Sequence, residues 1–471
     1  MIRVLGIQTS RRQAALFLAD IAILTLVMLF SVFLRFGSGG SLEYIAGHVP
    51  HFLVMILAFI ISFLMADLYD IKKDFRLARQ QLHIYGACCI ALAISTVIFY
   101  SSMTNVGRSI FLLIGFFAPL SIGLIRWFYI TVGSAQQWRK RVIVVGAGGA
   151  GHYLLKTILR HSHCGLWIVG FVDDDSAKQG KLINVKPIKG KRVNGKPVLG
   201  TSAELTELAQ KFRADMIVIA VTHDRSDILV KNLIKCHYMN ITVVNMPTVY
   251  EHITGKLPLQ HITEKWLLDH AIFNQGMTYK NIKRVLDICF ALVLLTVSFP
   301  VMILTSILIK LDSKGDVFFR QERVGMNFKK FNIVKFRTMV ADAEKHTGAV
   351  WAIKGDPRVT RVGKIMRKLR IDEIPQLVNV LIGNMSFVGP RPEREVFINE
   401  LNKEIPAYGH RLVVKPGITG WAQVMYSYAA TKEESIEKLR YDLYYVKNMS
   451  LFLDIFIILK TIRTVLSCGG H

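Results

Sequence analysis

"KNIKRVLDICFALVLLTVSFPVMILTSILIKLDSKG", residues 280 to 315, holds an uninterrupted apolar run from Ile288 to Ile309. Such a run reaches the roughly 20 residues that a spanning helix needs, so its course decides on which side of a membrane everything after it lies. Both flanks are basic: Lys280, Lys283 and Arg284 precede it, and Lys310, Lys314, Arg320 and Arg323 follow. Positive charge retains chain ends on the cytoplasmic side. Ser298 and Pro300 stand near the middle, where proline removes a helical hydrogen bond. A helix that enters over about 281–311, breaks and returns satisfies both features. The alternative is a fifth crossing kinked at Pro300, which would put the basic C-terminal region outside.

Upstream lie four apolar stretches long enough to cross: Leu16 to Leu34, Phe52 to Leu68, Ile84 to Met103 and Ile110 to Val132. Their flanks carry "RR" at 11–12, "KKDFRLAR" at 72–79 and "RKR" at 139–141, while the loops after the first and third are poor in Lys and Arg. Both ends of a four-helix bundle, residues 1–138, are therefore expected in the cytoplasm. No cleavable signal peptide is evident, because the first apolar segment is long enough to span and no small-residue cleavage site follows it. Asp20 and Arg126 lie inside or at the edges of spans and suit either a functional role or a structural pair.

After Arg141 the pattern becomes strand, glycine turn, helix: "RVIVVGAGGAGHYLLKTIL". Gly146, Gly148 and Gly151 fit G-x-G-x-x-G, and "IVGFVDDD" closes a second strand with Asp173 where a ribose-binding acid sits. "ADMIVIAV" and "ITVVNMP" supply further parallel strands, giving a Rossmann-like α/β domain over 139–275. Its glycines would admit NAD or another nucleotide, but the same motif also serves merely to pack a strand on a helix.

Composition agrees with membrane attachment. Hydrophobic residues are 52% of the 471, yet the net charge is +25, which suits anionic lipid or phosphorylated ligands. No zinc-ligand spacing, basic repeat or aromatic-rich strand supports nucleic acid as the partner. Six scattered cysteines, Cys88, Cys89, Cys164, Cys236, Cys289 and Cys468, form neither a disulfide framework nor a metal site and fit a reducing compartment.

From 276 to 471 short apolar pieces alternate with cations: "VFFRQERVG" with Arg323, "FNIVKFRTM" with Arg337, "MSFVGPRPE", "LVVKPGITGWAQV". Arginines among glycines and prolines suit a phosphorylated ligand held by guanidinium forks. Within "RKLRIDEIPQL", 367 to 377, two acids stand side by side. Adjacent helical side chains diverge by about 100°, so this is a poor surface ion-pair pattern. Anionic attack on a phosphate needs cations and a metal to neutralise it. One acid can be the nucleophile and its neighbour a Mg²⁺ ligand, with Arg367 and Lys368 neutralising phosphate. An acidic helix N-terminus accounts for the same pair.

From Lys283 to about Thr464 the chain resembles the bacterial sugar transferases of exopolysaccharide synthesis, the polyprenyl-phosphate hexose-1-phosphate transferases, and its layout is similar to the family's large form. The matching pieces are "KRVLD", "SFP", "VFFRQERVG", "KFRTM", "GDPRVTRVGKIMRKLRIDEIPQL", "MSFVGPRP", "KPGITGWAQV" and "YDLYYVKNMSLFLD". The resemblance implies a two-step transfer from a UDP-hexose to undecaprenyl phosphate, releasing UMP, with Asp372 as nucleophile and Glu373 as the Mg²⁺ ligand. It gives Pro390 and Arg391 to phosphate or nucleotide binding, Ser298 and Pro300 to the break of a monotopic re-entrant helix, and Arg284 and Asp287 to its polar anchor. It further implies a bacterial inner-membrane enzyme with a cytoplasmic catalytic domain, downstream glycosyltransferases and a possible homodimer. Glucose is the first choice of sugar and galactose the second. Phe328, Thr338 and Asn384 depart from the family pattern. The competing classes are a nucleotide-sugar oxidoreductase, for which no Tyr-Lys pair is found, and a non-catalytic membrane scaffold.

Overall fold

The computed structural model describes residues 2–4, 7–9, 11–69, 77–101, 106–133, 139–161, 164–185, 195–221, 226–261, 277–340, 356–426 and 431–466. It divides into two units, essentially Gln8–His261 and Ile262–His471.

Helix α1, Arg11–Met65, contains the first expected span and all but the last three residues of the second. A straight helix would separate residues 17 and 69 by about 80 Å at 1.5 Å per residue, yet the rings of Phe17 and Tyr69 lie 5.6 Å apart. The chain reverses at Gly37, whose φ of 64° and ψ of −164° fall where essentially only glycine is comfortable. The two spans are thus arms of a hairpin. With α2, Leu77–Ser101, and α3, Arg108–Gly133, they bury Leu24, Met55, Phe59, Phe63, Ile84 and Ile114 in one core. Asp20 and Arg126 form a buried ion pair at 2.5 Å, the structural option left open by the sequence. Among the described residues, four helices are long and apolar enough to cross a membrane: α1, α2, α3 and a later one, Met277–Asp312.

The α/β domain carries strands β1 (Lys140–Val145), β2 (Leu166–Val172), β3 (Leu182–Ile183), β4 (Lys196–Gly200), β5 (Met216–Ile219) and β6 (Thr242–Asn245) in the order β3-β4-β2-β1-β5-β6. All pairs are parallel except β3 with β4. Fully buried Val142, Val144, Ile217 and Val218 fill the sheet's two faces, as a sheet covered by helices on both sides requires. Those helices are α4 (Gly149–Arg160), α5 (Leu205–Lys211), α6 (Asp227–Tyr238) and α7 (Met246–Thr254).

In the second unit the apolar stretch is α8, Met277–Asp312, with Pro300 inside it. Its middle leaves Leu292, Val293, Val297 and Phe299 at least half exposed, but both ends are fastened to the same α/β body. Near the start, Arg284 donates to the carbonyls of Val380 and Leu381 at 2.6 and 2.8 Å, and Asp287 accepts the Phe387 N–H at 3.0 Å. Near the finish, Ile309 packs with Phe336 and Met366, and Asp312 accepts the Val362 N–H at 3.1 Å. That body comprises the antiparallel hairpin β7 (Phe318–Val324) and β8 (Lys330–Phe336), α9 (Arg361–Leu369), α10 (Gln376–Ile382), and β9 (Ser386–Val388) parallel to β10 (Gly417–Thr419). Helices α11 (Glu395–Glu404), α12 (Trp421–Met425), α13 (Lys432–Asn448) and α14 (Leu451–Leu466) complete it.

Candidate active site

The two adjacent acids lie between α9 and α10. Helix α9 stops at Arg370, a left-handed residue with φ 59°, and Ile371–Glu373 form a single 3-10 turn before Pro375 and α10. This sharp reversal presents both acids inward: Asp372 is 9% exposed and Glu373 7%. Asn379 stitches α10 to β8, accepting the Val334 N–H at 3.0 Å and donating to the Asn332 carbonyl at 2.8 Å. The stitch brings Lys335 of β8 to the acids.

Glu373 is ringed by cations. Its Oε1 lies 2.7 Å from Arg391 Nη2, 3.3 Å from Lys335 Nζ and 3.7 Å from Arg370 Nη1. Burial alone would push its carboxyl up, but Arg391, Lys335 and Arg370 outweigh it and hold the group far below its ordinary range. Asp372 is different. Among the described residues its buried Oδ1 has no hydrogen-bond partner, and burial together with the neighbouring Glu373 charge pushes its carboxyl up against the pull of Lys335, Arg391 and Arg370. Two neighbouring carboxylates with opposite shifts mark distinct roles.

Arg391 enters through the segment that follows β9. The buried Pro390 fixes its approach and accepts the Gly417 N–H at 2.9 Å. The carbonyl of Arg391 accepts from Arg411 Nη2 at 2.8 Å, and Arg411 is paired with Asp442 at 2.8 Å. Arg323 donates to the Pro392 carbonyl at 3.2 Å and lies 3.5 Å from Glu393. Arg367 donates from Nε to Thr338 Oγ1 at 2.9 Å and lies within electrostatic reach of Asp372.

The structure thus gathers Asp372, Glu373, Arg391, Arg367, Pro390 and Arg323 in one region, and leaves two predicted residues elsewhere. Lys368 is exposed on α9. Arg337 holds the carbonyls of Ser313 and Lys314 at 2.8 and 2.9 Å, closing the turn after α8. Arg284 and Asp287 act as anchors of α8, and Ser298, two residues before Pro300, returns its hydroxyl to the Leu294 carbonyl at 2.6 Å. Sequence reasoning overlooked Lys335, Arg370 and the Arg411–Asp442 pair. Lys335 was within reach of it: it stands two residues from Arg337 in the same "KFRTM", but β8 ends at Phe336, so only Lys335 keeps the strand's alternation.

Among the described residues no cluster of three or more His, Cys, Asp or Glu could hold a metal. Mg²⁺, however, is usually held by one or two carboxylates completed by substrate phosphates and water. The unpartnered oxygen of Asp372 beside Glu373 fits that mode.

In the α/β domain, Gly151 approaches the Gly146 carbonyl too closely for any side chain, and Gly148 opens α4. Asp173, the expected ribose acid, is already engaged: it accepts the N–H groups of Ala147 at 2.7 Å and Asp175 at 3.0 Å and pairs with Lys178 at 3.3 Å. These bonds tie the end of β2 to the start of the glycine loop.

Comparison with known proteins follows this division. A family profile described as "Bacterial sugar transferase" matches residues 278–468, and one described as "CoA-binding domain" matches 65–247. A UDP-N-acetylgalactosamine-undecaprenyl-phosphate N-acetylgalactosaminephosphotransferase of Aeromonas hydrophila is 46% identical over 238 residues, covering 50% of this chain and 55% of the relative. A UDP-glucose:undecaprenyl-phosphate glucose-1-phosphate transferase of Klebsiella pneumoniae is 32% identical over 334 residues, 69% of this chain and 67% of the relative. The exopolysaccharide production protein PSS of Rhizobium leguminosarum bv. phaseoli is 40% identical over 196 residues, 40% of this chain and 96% of the relative. The chain belongs to the bacterial sugar transferase family.

Proposed function

We propose that the protein moves hexose 1-phosphate from a UDP-hexose to undecaprenyl phosphate, the first step in assembling an exopolysaccharide repeat unit. The observation that carries this reading is Asp372: a buried carboxylate with an unpartnered oxygen, beside a Glu373 that gathers three cations. An oxygen of Asp372 attacks the hexose-bearing phosphorus, the bond to the bridging oxygen breaks, and UMP leaves. The phosphate oxygen of the polyprenyl carrier then attacks the same phosphorus and returns Asp372 to its carboxylate. Arg391 and Lys335 stabilise charge that builds on the phosphoryl oxygens. Glu373, with Asp372, would hold Mg²⁺, which supplies further charge neutralisation at the phosphates.

Membrane attachment fits this chemistry, because a lipid acceptor and a soluble donor meet at the cytoplasmic face of the inner membrane. Re-entry of α8 is supported by its two ends, both fastened to one α/β body, and by its exposed apolar middle. UDP-glucose is the donor given by the names of several relatives. UDP-N-acetylgalactosamine is a second reading, favoured by the higher identity of the relative named for it; galactose has no such support.

The deciding experiment mixes purified protein, Mg²⁺ and single UDP-sugars without lipid, and measures UMP together with the mass of the peptide containing Asp372. A stoichiometric UMP burst with one sugar, and a phospho-sugar adduct on Asp372, are expected. Turnover only when undecaprenyl phosphate is present, with no adduct, would replace the covalent route by direct transfer.

A further inference from the structure

Among the described residues, one cation beside the site, Lys438, makes no ion pair of its own. Three acids of this region are already paired: Glu373 with Arg391 at 2.7 Å, Glu393 with Arg323 at 3.5 Å, and Asp442 with Arg411 at 2.8 Å. Lys438 lies on α13 one turn before Asp442, so the two share a helix face. It is only partly exposed, and its ammonium feels Arg391 and Arg411 as well as Glu393 and Asp442. Among the described residues it has no ion pair or hydrogen bond. A surface lysine would extend into water, and a structural lysine would own a carboxylate. Lys438 does neither, while standing in the electrostatic neighbourhood of the guanidinium that touches Glu373.

The surplus of positive charge has a chemical meaning. An ammonium held among guanidinium groups is costly unless an anion arrives, and in this family's reaction the arriving groups are phosphates. We infer that Lys438 is a phosphate-binding residue of the transferase site, set by the Asp442–Arg411–Arg391 chain to contact a phosphoryl group of the incoming ligand. This deepens the reading above and rests on it. Two sources share the chemistry: the nucleotide, which departs as a phosphomonoester, and the lipid phosphate acceptor. The two half-reactions separate them.

The test uses the full-length protein in detergent, with Lys438→Met, which removes the charge at similar length, and Lys438→Arg, which restores it. A charge-assisted contact of about 1.5–3 kcal/mol corresponds to roughly 10–100-fold. If the nucleotide is the ligand, Lys438→Met weakens equilibrium UMP binding and raises the UDP-sugar KM by that factor, while Lys438→Arg stays within about threefold of wild type. If the lipid is the ligand, UMP binding and the UMP burst stay intact, and transfer of the preformed adduct needs about 10–100-fold more polyprenyl phosphate. Unchanged UMP affinity and unchanged lipid dependence in a folded Lys438→Met protein would overturn the inference. So would equal loss of kcat in both variants with binding constants preserved. Should Lys438→Met fail to fold, Lys438→Gln takes the same measurements. UMP binding requires no turnover: wild type that binds UMP through Lys438 but releases none from any UDP-sugar would sink the proposed reaction and leave this contact standing.

Discussion

Two aspartates close two phosphate-related motifs in this chain, and their surroundings are opposite. Asp173, at the end of β2, accepts two loop N–H groups and a lysine, so its hydrogen-bonding capacity is spent within the fold. Asp372, after α9, is buried with an oxygen that has no partner among the described residues, and burial drives its carboxyl toward the protonated form. Leaving a buried polar atom unsatisfied costs about 1–3 kcal/mol. A fold keeps such a group where a ligand completes it. The comparison teaches that a glycine motif with a well-placed acid describes a fold, whereas an incompletely satisfied acid among surplus cations describes a site.

The same substitution at both acids is the sharpest way to break this contrast. Asp372→Asn keeps shape and removes the nucleophile, so UMP release should fall by about a thousandfold or more, in line with the loss of other essential nucleophiles. Full activity in that variant would refute the assignment. The next largest effect is expected from Arg391→Lys, which keeps the charge but loses the planar fork on Glu373. A loss of about 10–100-fold in kcat/KM is expected, read from UMP release across donor concentrations. A loss below about twofold would make Arg391 a bystander.

Lys335 tunes the nucleophile through charge. Attack requires the Asp372 carboxylate, whose folded pKa is raised, so the burst rate falls as pH drops through that raised value. The Lys335 charge opposes the rise; Lys335→Met removes the opposition and pushes the carboxyl further up. The acid limb of the burst rate should therefore move to higher pH, with about a tenfold loss at the wild-type optimum. A limb that stays in place, or moves down, would show that Lys335 does not act on Asp372.

What the sequence made legible follows from what it encodes locally. Hydropathy located the spans because each is a contiguous run, and the glycine turn located β1 and α4 because its residues are neighbours in the chain. The dyad stood out because its acids are adjacent. Lys335, Arg370 and Arg411 did not, since their roles depend on which way a strand end, a left-handed residue and a distant helix point. Arg337 looked equivalent to Lys335 in the string, and only the end of β8 at Phe336 separates them. The reversal at Gly37 was readable as a gap between two spans, but its hairpin geometry rests on contacts 52 residues apart, such as Phe17 with Tyr69. Phe328, one of the departures from the family pattern, adopts φ 61°, a backbone angle its side chain gave no reason to expect.

The smallest expected effect is the control that gives the comparison its force. In Asp173→Asn one acceptor oxygen remains for the Ala147 N–H, while the carboxylate's charge and its pairing with Lys178 are lost. Lys178 is 37% exposed in its side chain, so solvent screening limits that pair to about 0–1 kcal/mol. The altered hydrogen bonds bring the expected loss of stability to about 1 kcal/mol, a shift of a few degrees in the melting of the α/β domain. UMP release should stay within about twofold of wild type, because Asp173 is fully used by its own loop. Were release to fall tenfold while the protein stayed folded, the glycine loop would be coupled to phosphoryl transfer. Asp173 would then belong to the functional machinery rather than to the scaffold, and a satisfied acid could no longer be read as a structural one.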